Sequence, residues 1–263
     1  MGTYVVTGSA SGIGAATHAR LTADGHRVIG VDLHDADIEV DLGTVEGRQA
    51  ALDSVLEATG ELDGLVTCAG IGPLPDRSGA LIASVNYFGS VVLLAGLRKL
   101  LAATEAPAAV AISSNSTTTM PGVPIDVVDA CLAEDEPRAR ELAEAAGGLY
   151  AYPASKVAIA RWVRRNATGT DWAGSGIRLN AVAPGMIETA MIVEGRADPM
   201  LGPALEQFPI PVGRPGRADE IADLIVYLLS PQAAYFCGSV VFCDGGTDAL
   251  LRPDDWPGIW NPT

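Results

Sequence analysis

A short apolar stretch, Tyr4-Val5-Val6-Thr7, runs directly into Gly8-Ser9-Ala10-Ser11-Gly12-Ile13-Gly14, and a helical pattern follows to about Asp24. Three glycines between a buried strand and a helix constrain this chain more than any other stretch. Glycine admits the backbone angles of such a turn and lets N–H groups approach a phosphate at the helix N-terminus. The strand–turn–helix setting makes these glycines a nucleotide-binding signal rather than a plain turn. Their spacing is G-x-x-x-G-x-G. A chain that opens this way predicts an α/β fold.

The rest of the chain keeps the rhythm. Arg27-Val28-Ile29-Gly30-Val31 is a second strand ending at Asp32, followed by Leu33. A carboxylate at that strand end can accept hydrogen bonds from an adenosine ribose and would repel a 2′-phosphate, so Asp32 favours NAD over NADP. Ile38-Glu39-Val40 predicts a third strand, before Asp41-Leu42 and a helix over about 44–59. Leu65-Val66-Thr67 is a fourth, ending in Cys68-Ala69-Gly70, whose small side chains would let a cofactor lie across the strand ends. A long helical segment over about 81–101 carries Asn86, and a fifth strand, Ala109-Val110-Ala111-Ile112, ends at Ser113-Ser114. Ile177-Arg178-Leu179-Asn180-Ala181-Val182 is a sixth, ending at Pro184-Gly185; a helix over about 218–229 and a last strand over 239–243 follow. This alternation predicts one domain over 1–263, a doubly wound, Rossmann-like, mainly parallel sheet with helices on both faces. Its candidate sites fall at strand C-terminal ends, where such sheets bind ligands.

Two segments break the pattern. Residues 116–149 read as an inserted helical lobe, with a helix start at Asp135-Glu136-Pro137 and a helix to Ala146. Residues 186–210 carry Met186, Ile187, Met191, Ile192, Val193, Met200, Leu201, Phe208 and Ile210, a candidate mobile lid over an apolar substrate. Between them, Tyr152-Pro153-Ala154-Ser155-Lys156 opens a helix expected to reach about Trp172. Positions four apart share a helix face, and an ammonium one turn from a phenol favours the phenolate, whose ordinary pKa is about 10. Tyr150 is a competing tyrosine, but only Tyr152 has a lysine at i+4.

The balance of 17 basic and 32 acidic residues gives a net charge of −15, which argues against nucleic acid or an anionic membrane as partner. Cys68, Cys131, Cys237 and Cys243 contain no C-x-x-C pair, and His18, His26 and His34 form no ligand set, so no metal is expected. Reduced thiols, the absence of a signal peptide and no apolar run of membrane-spanning length predict a cytoplasmic protein.

Taken together, TGSASGIG (7–14), Asp32, Asp41-Leu42, CAG (68–70), SVNYFGS around Asn86, ISS (112–114), YPASK, RLNAVAPGMIET (178–189), GRPGRADEIA (213–222) and CDGG (243–246) resemble the classical short-chain dehydrogenase/reductase family. They occur in order along nearly the whole length. The insert, SVNYFG and the DGG-T-DA tail are similar to the subgroup of bacterial 3α-hydroxysteroid dehydrogenase/carbonyl reductases. The resemblance implies that Tyr152 exchanges a proton with the substrate oxygen and that Lys156 lowers its pKa and holds the nicotinamide ribose. Ser114, rather than Ser113, would hydrogen-bond the substrate oxygen, and Asn86 would hold a water in a relay to Lys156. The cofactor-binding set would be Gly8, Ser11, Gly12, Ile13 and Gly14 at the turn; Asp32, Leu33, Asp41 and Leu42; Cys68, Ala69 and Gly70; Tyr152 and Lys156; and Pro184, Gly185, Ile187 and Thr189, the last anchoring the carboxamide. The expected reaction is NAD-linked interconversion of a secondary alcohol and a ketone on a steroid-like or other apolar substrate. Smaller alicyclic or xenobiotic carbonyls are the alternative substrates, and a non-catalytic NAD-binding regulator the alternative role. A homo-oligomer is implied, a dimer more than a tetramer. Thr67-Cys68 stands where the family has Asn-Asn, and the stretch from Ser114 to Tyr152 is longer than usual, so the insert must loop out. Trp256 and Trp260 could cap the site or meet a second subunit.

Overall fold

Alternation of apolar side chains along three strands decides how the layers form. Val5, Leu65 and Ala109 pair across neighbouring strands and share one face of the sheet; Val6, Val66 and Val110, one position on, share the other. All six are fully buried, so helices must cover both faces. In the computed structural model, which describes residues 1–256 and 258–259, they do.

The strands, in chain order, are β1 (Thr3–Thr7), β2 (Arg27–Asp32), β3 (Ile38–Glu39), β4 (Gly64–Thr67), β5 (Ala108–Ile112), β6 (Arg178–Pro184), β7 (Ile187–Glu188), β8 (Gly216–Arg217) and β9 (Val240–Cys243). Seven of them form one sheet in the order β3-β2-β1-β4-β5-β6-β9, every pairing parallel. β7 and β8 pair separately. Strand order reverses between β1 and β4, and the crevice at their C-terminal ends is where such a sheet receives a ligand. One core holds Val5, Val31, Leu65 and Leu179 with Val55, Leu97, Ile159 and Val163. The other holds Val6, Val66, Val110 and Val182 with Leu21, Ile221, Ile225 and Leu228.

The segment over 81–101 is part of a helix that runs from Gly79 to Leu101. It is long and apolar enough to cross a bilayer by composition, with a mean hydropathy of 1.8, which corrects the expectation that no such stretch exists. Its apolar face is spent on the sheet: 67% of that window is buried. Over Ala83–Phe88 the helix widens into a π segment, and Asn86 sits inside it. The helix bearing Tyr152 spans Gly148–Asn166, shorter than the expected end near Trp172. Thr168-Gly169-Thr170 breaks it, and Trp172 returns to stack edge-on against Trp162, ring centroids 5.9 Å apart.

Residues 116–149 fold as three helices, Ser116–Thr119, Ile125–Leu132 and Glu136–Ala146. Asp135 caps the third by accepting from the Arg138 N–H at 3.1 Å, with Pro137 in the first turn. Val127, Val128, Cys131, Ala139 and Ala143 are buried in the same core as the sheet, so the insert shares the domain's interior. Residues 186–210 contribute β7 and two helices, Ala190–Ala197 and Gly202–Glu206.

Candidate active site

The turn after β1 is cut to the backbone. Gly8 has φ +68°, and a Cβ there would meet the Ala69 nitrogen at 2.7 Å. A Cβ on Gly14 would lie 2.0 Å from the Gly8 carbonyl oxygen, so the helix can start this close to the turn only because Gly14 has no side chain. The cradle opens into a cavity of about 690 Å³ lined by Gly8, Ser11, Gly12, Ile13 and Gly14. Asp32, Leu33, Asp41, Leu42, Cys68, Ala69 and Gly70 continue the wall; Pro184, Gly185, Ile187 and Thr189 close the far side, with Ser114, Tyr152 and Lys156. Of the predicted site residues, only Asn86 is off this wall.

Asp32 closes β2 with both oxygens engaged: one accepts from the Ala10 N–H at 2.9 Å, the other from Leu33 at 2.7 Å. The carboxylate thereby ties the glycine turn to the end of β2 and fixes a negative charge at the cavity rim. Burial pushes the Cys68 thiol up to about 12, so this thiol is a small apolar wall element and no nucleophile.

The tyrosine–lysine pair lies deeper. The helix that carries it packs close because its buried Ala151, Ala154 and Ala158 share a core with Ala109 and Ala111 of β5. Lys156 Nζ donates to the Ile112 carbonyl at 3.0 Å and lies 5.7 Å from the centroid of the Tyr152 ring. Ser113 donates its hydroxyl proton to the Lys156 carbonyl at 2.9 Å, so it anchors the helix to the strand. Both serines line the large cavity, but only Ser114 also lines the second one described below. The backbone N–H of Ser116 donates to Ser114 Oγ at 3.1 Å, which occupies a lone pair there and leaves the Ser114 proton to be given elsewhere.

The expected depression of the Tyr152 pKa by Lys156 is corrected by the packing. Burial is the dominant influence and raises the phenol above its usual value, while the Ser114 hydroxyl pulls it down. Burial also brings Lys156 down to about 8. Asn86 sits behind the cavity wall. It is fully buried; its Oδ1 accepts from the Ile71 N–H at 2.8 Å, and its Nδ2 donates to the Ile71 carbonyl at 3.1 Å. The carboxamide is a clip on the loop after β4, just behind Gly70, where a Cβ would lie 3.2 Å from Asn86 Oδ1 and 3.6 Å from Lys156 Nζ.

A second, mostly apolar cavity of about 260 Å³ adjoins the first and shares Ser114 and Tyr152 with it. Its walls come from the two segments that broke the sequence pattern: Thr119, Met120 and Leu149 from 116–149, and Met186, Met191, Ile192, Leu201, Leu205 and Phe208 from 186–210. Pro153 is also on this wall, and it denies the Leu149 carbonyl its helical donor. Arg77 and Glu194, bridged at 2.7 Å, line both cavities. Arg77 was not foreseen, because a single arginine in an irregular loop has no sequence pattern to mark it. Trp256 is 65% exposed and covers neither cavity; Trp260 lies outside the described residues. No cluster of His, Cys, Asp or Glu suited to a metal ion occurs among the described residues.

Residues 3–125 match the family described as short chain dehydrogenase, and residues 139–248 match that described as enoyl-(acyl carrier protein) reductase. The gap between the two matches falls within the insert. The chain is 40% identical to a 3-alpha-hydroxysteroid dehydrogenase/carbonyl reductase of Comamonas testosteroni, over 96% of this chain and 99% of that one. It is 29% identical to a cis-4-hydroxycyclohexanecarboxylate dehydrogenase of Sinomonas cyclohexanicum, over 94% and 96%. The crystal structure of the 3-alpha-hydroxysteroid dehydrogenase from Pseudomonas sp. B-0831 complexed with NADH superimposes with a TM-score of 0.92 at 47% identity, covering 97% of this chain and all of that one.

Proposed function

This chain belongs to the short-chain dehydrogenase/reductase family, and from that membership we propose an NAD-dependent oxidoreductase that interconverts a secondary alcohol and a ketone on an apolar, steroid-like substrate. The observation that carries the reading is the wall common to both cavities: Ser114 and Tyr152 face the dinucleotide-sized space and the apolar space together.

The residues present fit NAD. The glycine cradle leaves the backbone bare for a pyrophosphate, and the fixed carboxylate of Asp32 suits a ribose diol and opposes a 2′-phosphate. Thr189 and Ile187, beyond Pro184-Gly185, would hold the nicotinamide end, and Lys156 its ribose. When bound, NAD supplies the hydride acceptor, and NADH the donor. The protein supplies the proton and the alignment. Ser114, its lone pair taken by Ser116, donates a hydrogen bond to the substrate oxygen, keeping its own proton, and fixes that oxygen beside Tyr152. Tyr152 Oη then delivers a proton to that oxygen in the reducing direction and removes it in the oxidising one. Lys156 keeps a positive charge beneath the ring, and Asn86 holds the Ile71 loop behind it.

The Comamonas and Pseudomonas relatives, named for 3-alpha-hydroxysteroids, support the steroid-like class. A second reading, a smaller alicyclic alcohol or ketone, is favoured by the apolar cavity's volume of about 260 Å³, which would enclose only part of a steroid, and by the cyclohexanecarboxylate relative. The partner is thus a small molecule, with no nucleic acid or membrane, in keeping with the net charge of −15 and a cytoplasmic location. Self-association as a dimer is supported by the insert, which covers helices that would otherwise be free to meet further copies.

The test is NADH absorbance with a panel of steroids and cyclic alcohols, comparing wild type with Tyr152→Phe. Turnover by wild type with a loss of roughly 100- to 10,000-fold in the variant is expected for removal of a proton-transfer group. Equal turnover would sink the mechanism, and no turnover by wild type on any substrate would favour an NAD-binding regulator.

A further inference from the structure

Behind the dinucleotide cavity the insert makes a buried polar contact that the reaction scheme does not use. Arg48, on the Val45–Ala58 helix, has a side chain only 3% exposed, and a guanidinium taken out of water this far needs partners for its charge. It has two. One nitrogen donates to the Leu42 carbonyl at 3.2 Å, the other to Glu136 Oε2 at 2.5 Å, and the guanidinium lies 6.0 Å from the centroid of the Phe88 ring. Glu136 is the first residue of the insert's third helix. Its other oxygen accepts the hydroxyl proton of Ser84 at 2.9 Å, and Ser84 in turn accepts from Arg140 of the same helix. Ser84 is fully buried within the π segment, two positions before Asn86.

We propose that Glu136 is a positioning residue for the dinucleotide site, fixing Leu42 through Arg48 and the π segment that carries Asn86 through Ser84. The proposal rests on the reading of the large cavity as an NAD site. A π turn is a less regular backbone than the α-helix on either side of it, and it needs outside contacts to hold its register. Glu136 and Arg140 supply them from one face, and the Asn86 clip on Ile71 uses the register so fixed. Leu42 lines the cavity directly, as does Val85, the neighbour of Ser84. One carboxylate therefore reaches two walls of the cofactor space from outside it. Glu136 touches neither cavity and performs no chemistry itself.

The two arms have separable signatures. In the full-length protein, NADH affinity is read by fluorescence titration, kcat by absorbance, and unfolding temperature as a control for damage. Glu136→Gln is expected to weaken NADH binding and lower kcat, each by about tenfold, the scale of coupling through a packed polar network. Ser84→Ala, which leaves the Arg48 arm in place, is expected to lower kcat by about tenfold while NADH affinity falls by less than in Glu136→Gln, because only the Val85 side of the cavity is freed. Glu141→Gln, on the exposed side of the same helix, should change neither. A Glu136→Gln protein that loses unfolding temperature alone, or a Ser84→Ala protein with wild-type kcat, overturns the proposal. Should Glu136→Gln fail to fold, the split between kcat and affinity in Ser84→Ala decides it. Wild type that binds no NADH would overturn the cofactor reading itself, and this inference with it.

Discussion

Tyr152 and Lys156 lie under the same burial, which raises the phenol and lowers the ammonium because both charged forms are disfavoured away from water. The sign matters for pH dependence. Lys156 holds its proton below about pH 8 and sheds it above, whereas neutral Tyr152 persists past the ordinary phenol range. Ketone reduction, with Tyr152 as the acid and Lys156 charged, is therefore expected to be flat through neutral pH and to fall near pH 8; a kcat/KM profile that climbs through pH 8 would contradict this. The same shift acts on stability in a defined window. Between about 8 and 10.5 the unfolded chain keeps the lysine proton that the folded chain has lost, so this group's contribution to stability rises with pH there. At the glycine turn, Gly14→Ala would drive a methyl group to 2.0 Å from the Gly8 carbonyl; loss of NADH binding is expected, with a lower unfolding temperature. These residues were legible in the sequence because the turn, the strand ends and the Y-x-x-x-K pair each have a local pattern. What the sequence could not give was their electrostatics. Spacing brings an ammonium within reach of a phenol, but the depth at which the pair is buried, which decides the direction of the shift, belongs to the tertiary packing.

Elements with strong periodicity were read well and irregular ones were not. The Ala218–Leu229 helix lies where its apolar spacing predicts, and Thr44 caps the Val45–Ala58 helix by accepting from Gly47 N–H. The π segment has no such mark: it differs from an α-helix by where one turn's hydrogen bonds fall, and the sequence SVNYFG is compatible with either. The Ile125–Leu132 helix escaped notice because its eight residues are too few for a clear period: Asp126 and Asp129 face out, and Val127, Val128, Ala130 and Cys131 are buried toward the core shared with the Gly148–Asn166 helix. Residues 186–210 fold as β7 and two short helices, and two of the segment's contacts lie beside the cavities. Met191 lies over Gly72, where a Cβ would come within 2.6 Å of it, and Glu194 pairs with Arg77. The pair is 20% and 48% exposed on its two sides, and such a pair contributes about 0–1 kcal/mol. We propose that this weak contact opens at each turnover, with 186–210 acting as a lid. Glu194→Gln is expected to speed product release by no more than about fivefold, and rising salt to reproduce the effect in wild type; stopped-flow measurement of release checks both.

For the whole molecule, the fold class was readable because one alternation of strand and helix repeats across almost the entire length. The acidic end of β2 makes a molecule-wide prediction: NADH should bind more tightly than NADPH, and Asp32→Ala should narrow the gap, as titration of both nucleotides would measure. Light scattering, with a dimer as the expected mass, checks the assembly. The origin of the apolar cavity has a consequence of a different kind. Its walls are drawn largely from 116–149 and 186–210, segments that add no strand to the seven-stranded sheet. Tyr152 and the glycine turn are held by that sheet and its helices. Side chains on those walls can thus change while the glycine turn and Tyr152 keep their places, so long as Glu136 and Arg140 keep their contacts, and a lineage built on this plan can wander between ring systems while inheriting its chemistry.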